Sequence, residues 1–212
     1  ADASVPTTDV ETRFGDRVLP FEDPHGLRLA LVETDDPLEV ALWEESPVPP
    51  DHQLRGMHSV RLWERSLAPT AAVLTEALGL EPVGTDDDWH RYALGDAPGT
   101  MADLKEVSEP DGSSGTGTIH HAAWRTRHAD ESEALRSALQ RAGLHPTSLI
   151  DRFWFQSVYA REPGGVLFEL ATDGPGFTVD EDLERLGDDL ILPPWLESRR
   201  AEIEAQLPTL SL

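Results

Sequence analysis

The sequence predicts an α+β protein, built from a repeated unit of strand, helix and several strands, with a helical tail. Three observations predict it. Thr12–Asp35 (TRFGDRVLPFEDPHGLRLALVETD) matches Asp151–Asp173 (DRFWFQSVYAREPGGVLFELATD) at a constant offset, pairing Arg13 with Arg152, Phe14 with Phe153, Pro24 with Pro163, Gly26 with Gly165 and Ala30 with Glu169. RGMHSVRLW (Arg55–Trp63) and GTIHHAAWRT (Gly117–Thr126) each read as a strand followed by a helix-like stretch, with His58 and His121 in equivalent places. In the second of those helices Ala134, Leu135, Ala138, Leu139 and Ala142 recur at helical spacing, with charges on the other face.

The elements follow in order. Residues 1–35 read as the end of an incomplete module: strand, turn, strand. DPHG supplies the turn, as EPGG does in the last copy, because Pro presets φ and Gly reaches φ > 0. Residues 36–54 (DPLEVALWEESPVPPDHQL) form a linker rich in Pro and acid. A complete module spans 55–107, the loop SEPDGSSGTG follows, and a second complete module spans 117–173. The tail, 174–212, opens with GPGFTVDEDLERLG, a turn and then a short helix; LPPWLESRRAEIEAQL places Pro at the start of a Glu/Arg-rich helix.

Composition narrows the function. The 212 residues carry 17 Lys and Arg against 40 Asp and Glu, a net charge of −23. A field of that sign repels phosphate backbones and anionic bilayers, so neither nucleic acid nor a membrane is an expected partner. Lys105 is the only lysine; adaptation to concentrated salt and drift in a GC-rich genome both account for that. Six Trp and six Phe along the chain supply a core. The absence of Cys removes disulfides and zinc–thiolate sites and fits a cytoplasmic protein. No apolar run approaches the roughly 18 residues of a membrane span. The start, ADASVPTTDVE, has neither the basic nor the apolar region of a signal peptide, and without an initiator Met the chain is expected to begin inside a longer protein.

Chemistry concentrates in the last module. His121 lies in its opening strand and Glu169 in its closing strand, inside VLFEL. Alternation puts Glu169 on a face shared with Leu167, and an inward carboxylate needs a partner or a metal. An imidazole and a carboxylate converging is the start of a two-His, one-carboxylate face, which suits non-haem Fe(II) and sometimes Mn(II) or Zn(II). A hydrogen-bonded His and a strand-edge acid are the ordinary alternatives. His120 points to the opposite face of a regular strand, unless a bulge turns it inward. Arg152 and Tyr159 precede the turn; beside a metal they would bind an anionic oxygen and relay a proton, and elsewhere they would be a surface ion pair and a half-buried aromatic. His25, His52, His90, His128 and His145 read as surface residues, and DDDWH as an acidic loop.

GTIHHAAW, DRFWFQSVYAREPGGVLFELATDGPGF and LPPWLESRRAEIEAQLP together resemble ring-cleaving dioxygenases of the vicinal oxygen chelate (glyoxalase/bleomycin resistance/dioxygenase) superfamily, in particular the hydroquinone-type extradiol subgroup. The resemblance covers nearly the whole chain and corresponds to the C-terminal two-thirds of the usual family length. It implies βαβββ modules forming cupped half-barrels around a divalent metal, normally Fe(II). It implies His121 and Glu169 as metal ligands, and His120, Arg152 and Tyr159 as catalytic or substrate-facing residues. The implied reaction is O₂-dependent cleavage of a hydroquinone- or catechol-type ring, with a small aromatic diol and O₂ as partners. The family's other His ligand falls in an N-terminal strand with no counterpart here. The third ligand is thus missing from this chain or, as the lesser alternative, is His58, and completion by the missing modules or by a homo-oligomer is expected. Ala30 stands where a second carboxylate would be. A glyoxalase-like metal-dependent isomerase and a non-enzymatic aromatic-binding resistance protein, the latter kept alive by Phe153, Trp154 and Phe155, are the competing readings.

Overall fold

The structure is a computed structural model and describes residues 5–34, 39–109, 112–113 and 115–208. Residues 1–4 and Asp35 of the first segment, 36–38 of the linker, Pro110, Asp111 and Ser114 of the long loop and 209–212 of the tail lie outside the described residues. The architecture is α+β, as the sequence predicts.

Three antiparallel strands open the chain: β1 (Glu11–Arg13), β2 (Asp16–Glu22) and β3 (Arg28–Glu33), in the order β1-β2-β3. Phe14 and Gly15, with φ of 51° and 93°, form the tight turn between the first two. Phe153 also has positive φ, 73°, so the two matched Phe residues share a backbone conformation that a bulky residue rarely adopts. Register repeats as well: Pro20 faces Ala30 on β3 as Tyr159 faces Glu169. Beyond β2, Asp23 Oδ1 accepts the N–H groups of His25 and Leu27, both at 2.8 Å. These bonds, that of Leu27 first, hold the Asp23 carboxyl below its usual pKa.

Next come β4 (Ser59–Glu64), α1 (Leu67–Ala72) widening into one π-type turn (Val73–Ala77), β5 (Glu81–Asp86), β6 (Trp89–Ala93) and β7 (Met101–Glu106). The last copy has β8 (Ala122–Thr126), α2 (Ala129–Arg141), β9 (Ile150–Asp151), β10 (Gln156–Arg161) and β11 (Leu167–Thr172). Their sheets run β4-β7-β6-β5 and β8-β11-β10-β9. In both, the opening strand pairs parallel with the closing strand, and the other pairs are antiparallel. Both helices end at a positive-φ glycine, Gly79 or Gly143, followed by a buried leucine whose N–H caps the helix: Leu80 to Leu74 O at 2.9 Å, Leu144 to Leu139 O at 3.0 Å.

One contiguous core joins the two modules. Leu62, Leu74, Leu80 and Leu104 from the first meet Leu139, Val158, Phe168 and Leu170 from the second. Each such side chain contributes about 1.5–3 kcal/mol on burial. The opening sheet is fastened to β4–β7 by polar contacts: the Phe14 N–H donates to Asp86 Oδ2 at 2.6 Å, and Asp16 Oδ2 lies 3.7 Å from Arg91 and 3.5 Å from His58.

The tail differs from expectation. GPGFTVDEDLERLG forms two isolated 3-10 turns, Phe177–Val179 and Leu183–Arg185, rather than a helix. Behind Pro193 and Pro194 the chain makes a 3-10 turn at Glu197–Arg199 and α3 (Arg200–Glu204), five residues long with none buried. A helix of that length needs an apolar face to hold it, and surface ion pairs such as Arg200–Glu197 add little. No helix among the described residues is long and apolar enough to cross a membrane.

The two modules also meet at a carboxyl group. A Cβ on Gly164, in the turn before β11, would lie 1.5 Å from Glu64 Oε2. Gly164→Ala is expected to cost about 1–3 kcal/mol in urea unfolding, because the buried Glu64 has nowhere to retreat. A change below about 0.5 kcal/mol, the usual limit for a neutral surface substitution, would show that Glu64 moves aside freely.

Candidate active site

Strand β11 sorts its side chains by alternation. Phe168 and Leu170, each 1% exposed, face the core, and Glu169 faces the other way yet is only 4% exposed. Tyr159 sits opposite Glu169 on β10, and its hydroxyl donates to Glu169 Oε1 at 2.6 Å. On the other flank Ala123 of β8 faces Glu169 and brings only a methyl group. His121, just before β8, reaches past it to place Nε2 2.7 Å from Glu169 Oε2.

Both His120 and His121 precede β8, so strand alternation does not separate them. This corrects the expectation that His121 lies within the strand and that a regular strand turns His120 to the opposite face. Their Nδ1 atoms are 2.8 Å apart and their rings stand edge to face. One neutral tautomer set satisfies every contact: His120 Nδ1–H donates to His121 Nδ1, His121 Nε2–H donates to Glu169, and Tyr159 donates to the second carboxylate oxygen. Arg152 completes the group. Its guanidinium lies 5.4 Å from the centre of the Tyr159 ring, and its Nε donates to Ser157 Oγ at 3.4 Å. The loop that aims it is fixed by Phe153 N–H to Asp151 Oδ1 and Arg152 N–H to Phe155 O.

His58 makes its contacts in the other module, with Asp16 and with Ser59 Oγ at 3.2 Å. Burial lowers its pKa, and the Asp16 charge partly opposes that. The strand ends correct the sequence alignment by one residue. β4 and β8 each end three residues before their helix begins, which sets Glu64 on Thr126, Ser59 on His121 and His58 on His120.

The same alignment sets Asp103 on Glu169 and Arg91 on Tyr159, a correspondence that sequence reading missed although MADL and LFEL carry their acid at the same place. Arg91, 6% exposed, forks onto Asp103, 1% exposed, with Nε to Oδ1 at 2.7 Å and Nη2 to Oδ2 at 3.0 Å. Arg61 Nε stands 3.7 Å from Asp103 Oδ2, and its guanidinium stacks on Trp89. The middle module thus fills with an internal ion pair the position at which the last module presents an imidazole and a carboxylate.

Could the last module hold a metal? An imidazole nitrogen and a buried carboxylate converging on one point are the donors a divalent ion takes. Among the described residues no group of three or more His, Asp or Glu side chains is arranged to hold one. The described residues therefore fit part of a metal set and leave it incomplete.

The model of the Glyoxalase/Bleomycin resistance protein/Dioxygenase superfamily matches residues 56–170. The chain belongs to this superfamily. "Putative ring-cleaving dioxygenase MhqO" of Bacillus subtilis is 38% identical over 96% of the chain, and "Chlorohydroquinone/hydroquinone 1,2-dioxygenase" of Sphingobium indicum 34% identical over 94%. The chain spans 65% and 64% of those two relatives. The crystal structure of a "putative dioxygenase" from Bacillus subtilis superposes with a TM-score of 0.91 at 37% identity, covering 98% of this chain and 66% of that one.

Tyr159→Phe tests the geometry without reference to catalysis. It leaves Glu169 Oε1 buried without its donor, and a loss of about 1–3 kcal/mol in urea unfolding is expected. No loss would mean that the hydroxyl makes no structural bond to the carboxylate.

Proposed function

We propose that this chain carries the metal-binding and substrate-facing part of a ring-cleaving dioxygenase that acts with O₂ on a hydroquinone- or catechol-type diol. The observation that carries this reading is the continuous chain from His120 through His121 and Glu169 to Tyr159, with Arg152 at its end. The two named relatives point to the same reaction class. His121 Nε2 and Glu169 would hold the metal, which we take to be Fe(II), with Mn(II) and Zn(II) as alternatives; the third ligand would come from outside the described residues or from a second chain. Iron in that position supplies the means to bind O₂ and a phenolic oxygen together.

The remaining chemistry belongs to the side chains. With a metal held at His121 Nε2, His121 would carry its proton on Nδ1 and donate it to His120 Nδ1. His120 would then present its Nε2–H as a proton donor toward a ring oxygen. The Tyr159 hydroxyl, on the other side of the carboxylate, would be a second donor. Arg152 supplies positive charge where a ring oxygen becomes anionic.

The test is anaerobic Fe(II) titration followed by O₂ uptake with chlorohydroquinone. The expected result is weak iron binding, because two donors converge, together with slow O₂ uptake and a ring-opened product at saturating Fe(II). No iron-dependent uptake at saturation would overturn the proposed reaction. Tight binding of one iron per chain would overturn the two-donor reading and make His58 the first candidate for the missing ligand.

A further inference from the structure

Outside that site, two buried carboxyl groups face each other where the modules meet. Glu64, at the end of β4, is 1% exposed, and neither of its carboxyl oxygens has a hydrogen-bond partner. Glu162, in the turn before β11, is 3% exposed and fully engaged: its Oε1 accepts the Val166 N–H at 2.7 Å, and its Oε2 accepts the Gly164 N–H at 2.8 Å and the Thr70 hydroxyl at 2.5 Å. Thr70, on α1, is itself wholly buried. The other charged group facing Glu64 is Glu106, its register partner on β7, whose carboxylate accepts the Leu67 N–H. Among the described residues no Lys, Arg or His forms an ion pair with Glu64 or Glu162.

Two ionised carboxylates here would repel each other in a site that water does not reach. Glu162 has the donors a carboxylate needs, two backbone N–H groups and the Thr70 hydroxyl, and Glu64 has none. Thr70 gives its one hydroxyl proton to Glu162, so toward Glu64 it can only accept. A carboxylate at Glu64 has no donor to bind; a carboxylic acid brings its own proton and needs only an acceptor, which the Thr70 oxygen is.

We propose that Glu64 is a proton-binding latch: protonated, it joins Thr70 and Glu162 in a relay that fastens the middle module to the turn of the last one, and ionised, it loosens that junction. Burial first, and the Glu162 charge second, push the Glu64 pKa up to about 7. An acid whose pKa is higher folded than unfolded stabilises the fold fully below its unfolded value, near 4.5, and loses that contribution as pH rises toward 7.

The experiment compares melting temperature from pH 4.5 to 8.5 for the wild type and Glu64→Gln, whose amide donates at every pH. Subtracting the two curves removes the histidines and the net acidity. The wild type is expected to fall by roughly 5 °C or more relative to Glu64→Gln between pH 5 and 7.5. A carboxylic-acid C=O band at pH 5.5, present in the wild type and missing from Glu64→Gln, is expected in the infrared. Parallel curves, or no such band, would overturn the proposal. So would stabilisation of the wild type but not of Glu64→Gln by millimolar Ca²⁺, Mg²⁺ or Mn²⁺, since the pair would then be a cation site.

Discussion

Glu169→Gln is expected to lower iron-dependent O₂ uptake by at least the ~10²–10³-fold that the loss of one pre-organised electrostatic partner costs an enzyme. The substitution is chosen because it keeps the shape of the side chain. The amide oxygen can still accept from Tyr159, and the core residues Phe168 and Leu170 on either side are untouched. The negative charge that faces His121 is lost, and with it the oxygen that accepts the His121 Nε2–H. Folding, read from circular dichroism and melting temperature, should change little, while activity collapses and the Fe(II) concentration needed for half-maximal uptake rises. An O₂ electrode with chlorohydroquinone gives both numbers. Retention of more than a tenth of the uptake would remove Glu169 from the metal set.

Asp103→Ala should have the largest effect on stability: a loss of about 3–5 kcal/mol in urea unfolding, the usual result of removing one member of a buried ion pair. Asp103 is the acceptor for both arms of the Arg91 fork. It also balances Arg61, whose pKa burial pushes down to about 10, with Arg13 adding to the shift and Asp103 opposing it. Without Asp103, Arg91 and Arg61 are left with Asp16, 3.7 Å from Arg91, and with the charge of Glu11, which acts on Arg61. In a protein of this size the melting temperature should fall by about 10 °C. The double substitution Arg91→Met, Asp103→Leu should recover most of the loss, because an apolar pair of similar volume carries no unpaired charge. If Asp103→Ala alone were neutral, Asp16 and Glu11 would be enough to neutralise the site.

Much of the fold was legible because repetition was legible. A Pro-Gly turn between two apolar runs and an amphipathic helix after a strand are local signals, and each occurs twice. The pairing Glu169 with Ala30 also came straight from sequence, and the strand registers agree with it. What the sequence concealed was register at the level of one residue. His58 resembles His121, yet the ends of β4 and β8 put Ser59 in that place. Identity between short histidine motifs outweighed the less visible constraint, the fixed distance from strand end to helix start. The Arg91–Asp103 pair was hidden for another reason. Its residues are twelve apart on neighbouring antiparallel strands, and only burial distinguishes them from surface charges. In the tail the Glu/Arg-rich helix is present but short, and the helix expected after GPGF is replaced by 3-10 turns, because helical spacing says nothing about whether a face is available to pack. Glu64 gave no signal at all; what makes it unusual is the approach of Gly164 from another module.

The Arg91–Asp103 fork bears on how a duplicated scaffold tells its copies apart. Any fold that repeats a strand carrying an inward acid also repeats an attraction for dissolved cations. A guanidinium cannot be titrated away, diluted or chelated, so Arg91 acts as a counter-ion bound for the life of the fold. The middle copy is closed to competition from the metal pool, and the one acid of the matched pair with no guanidinium fork across it is Glu169.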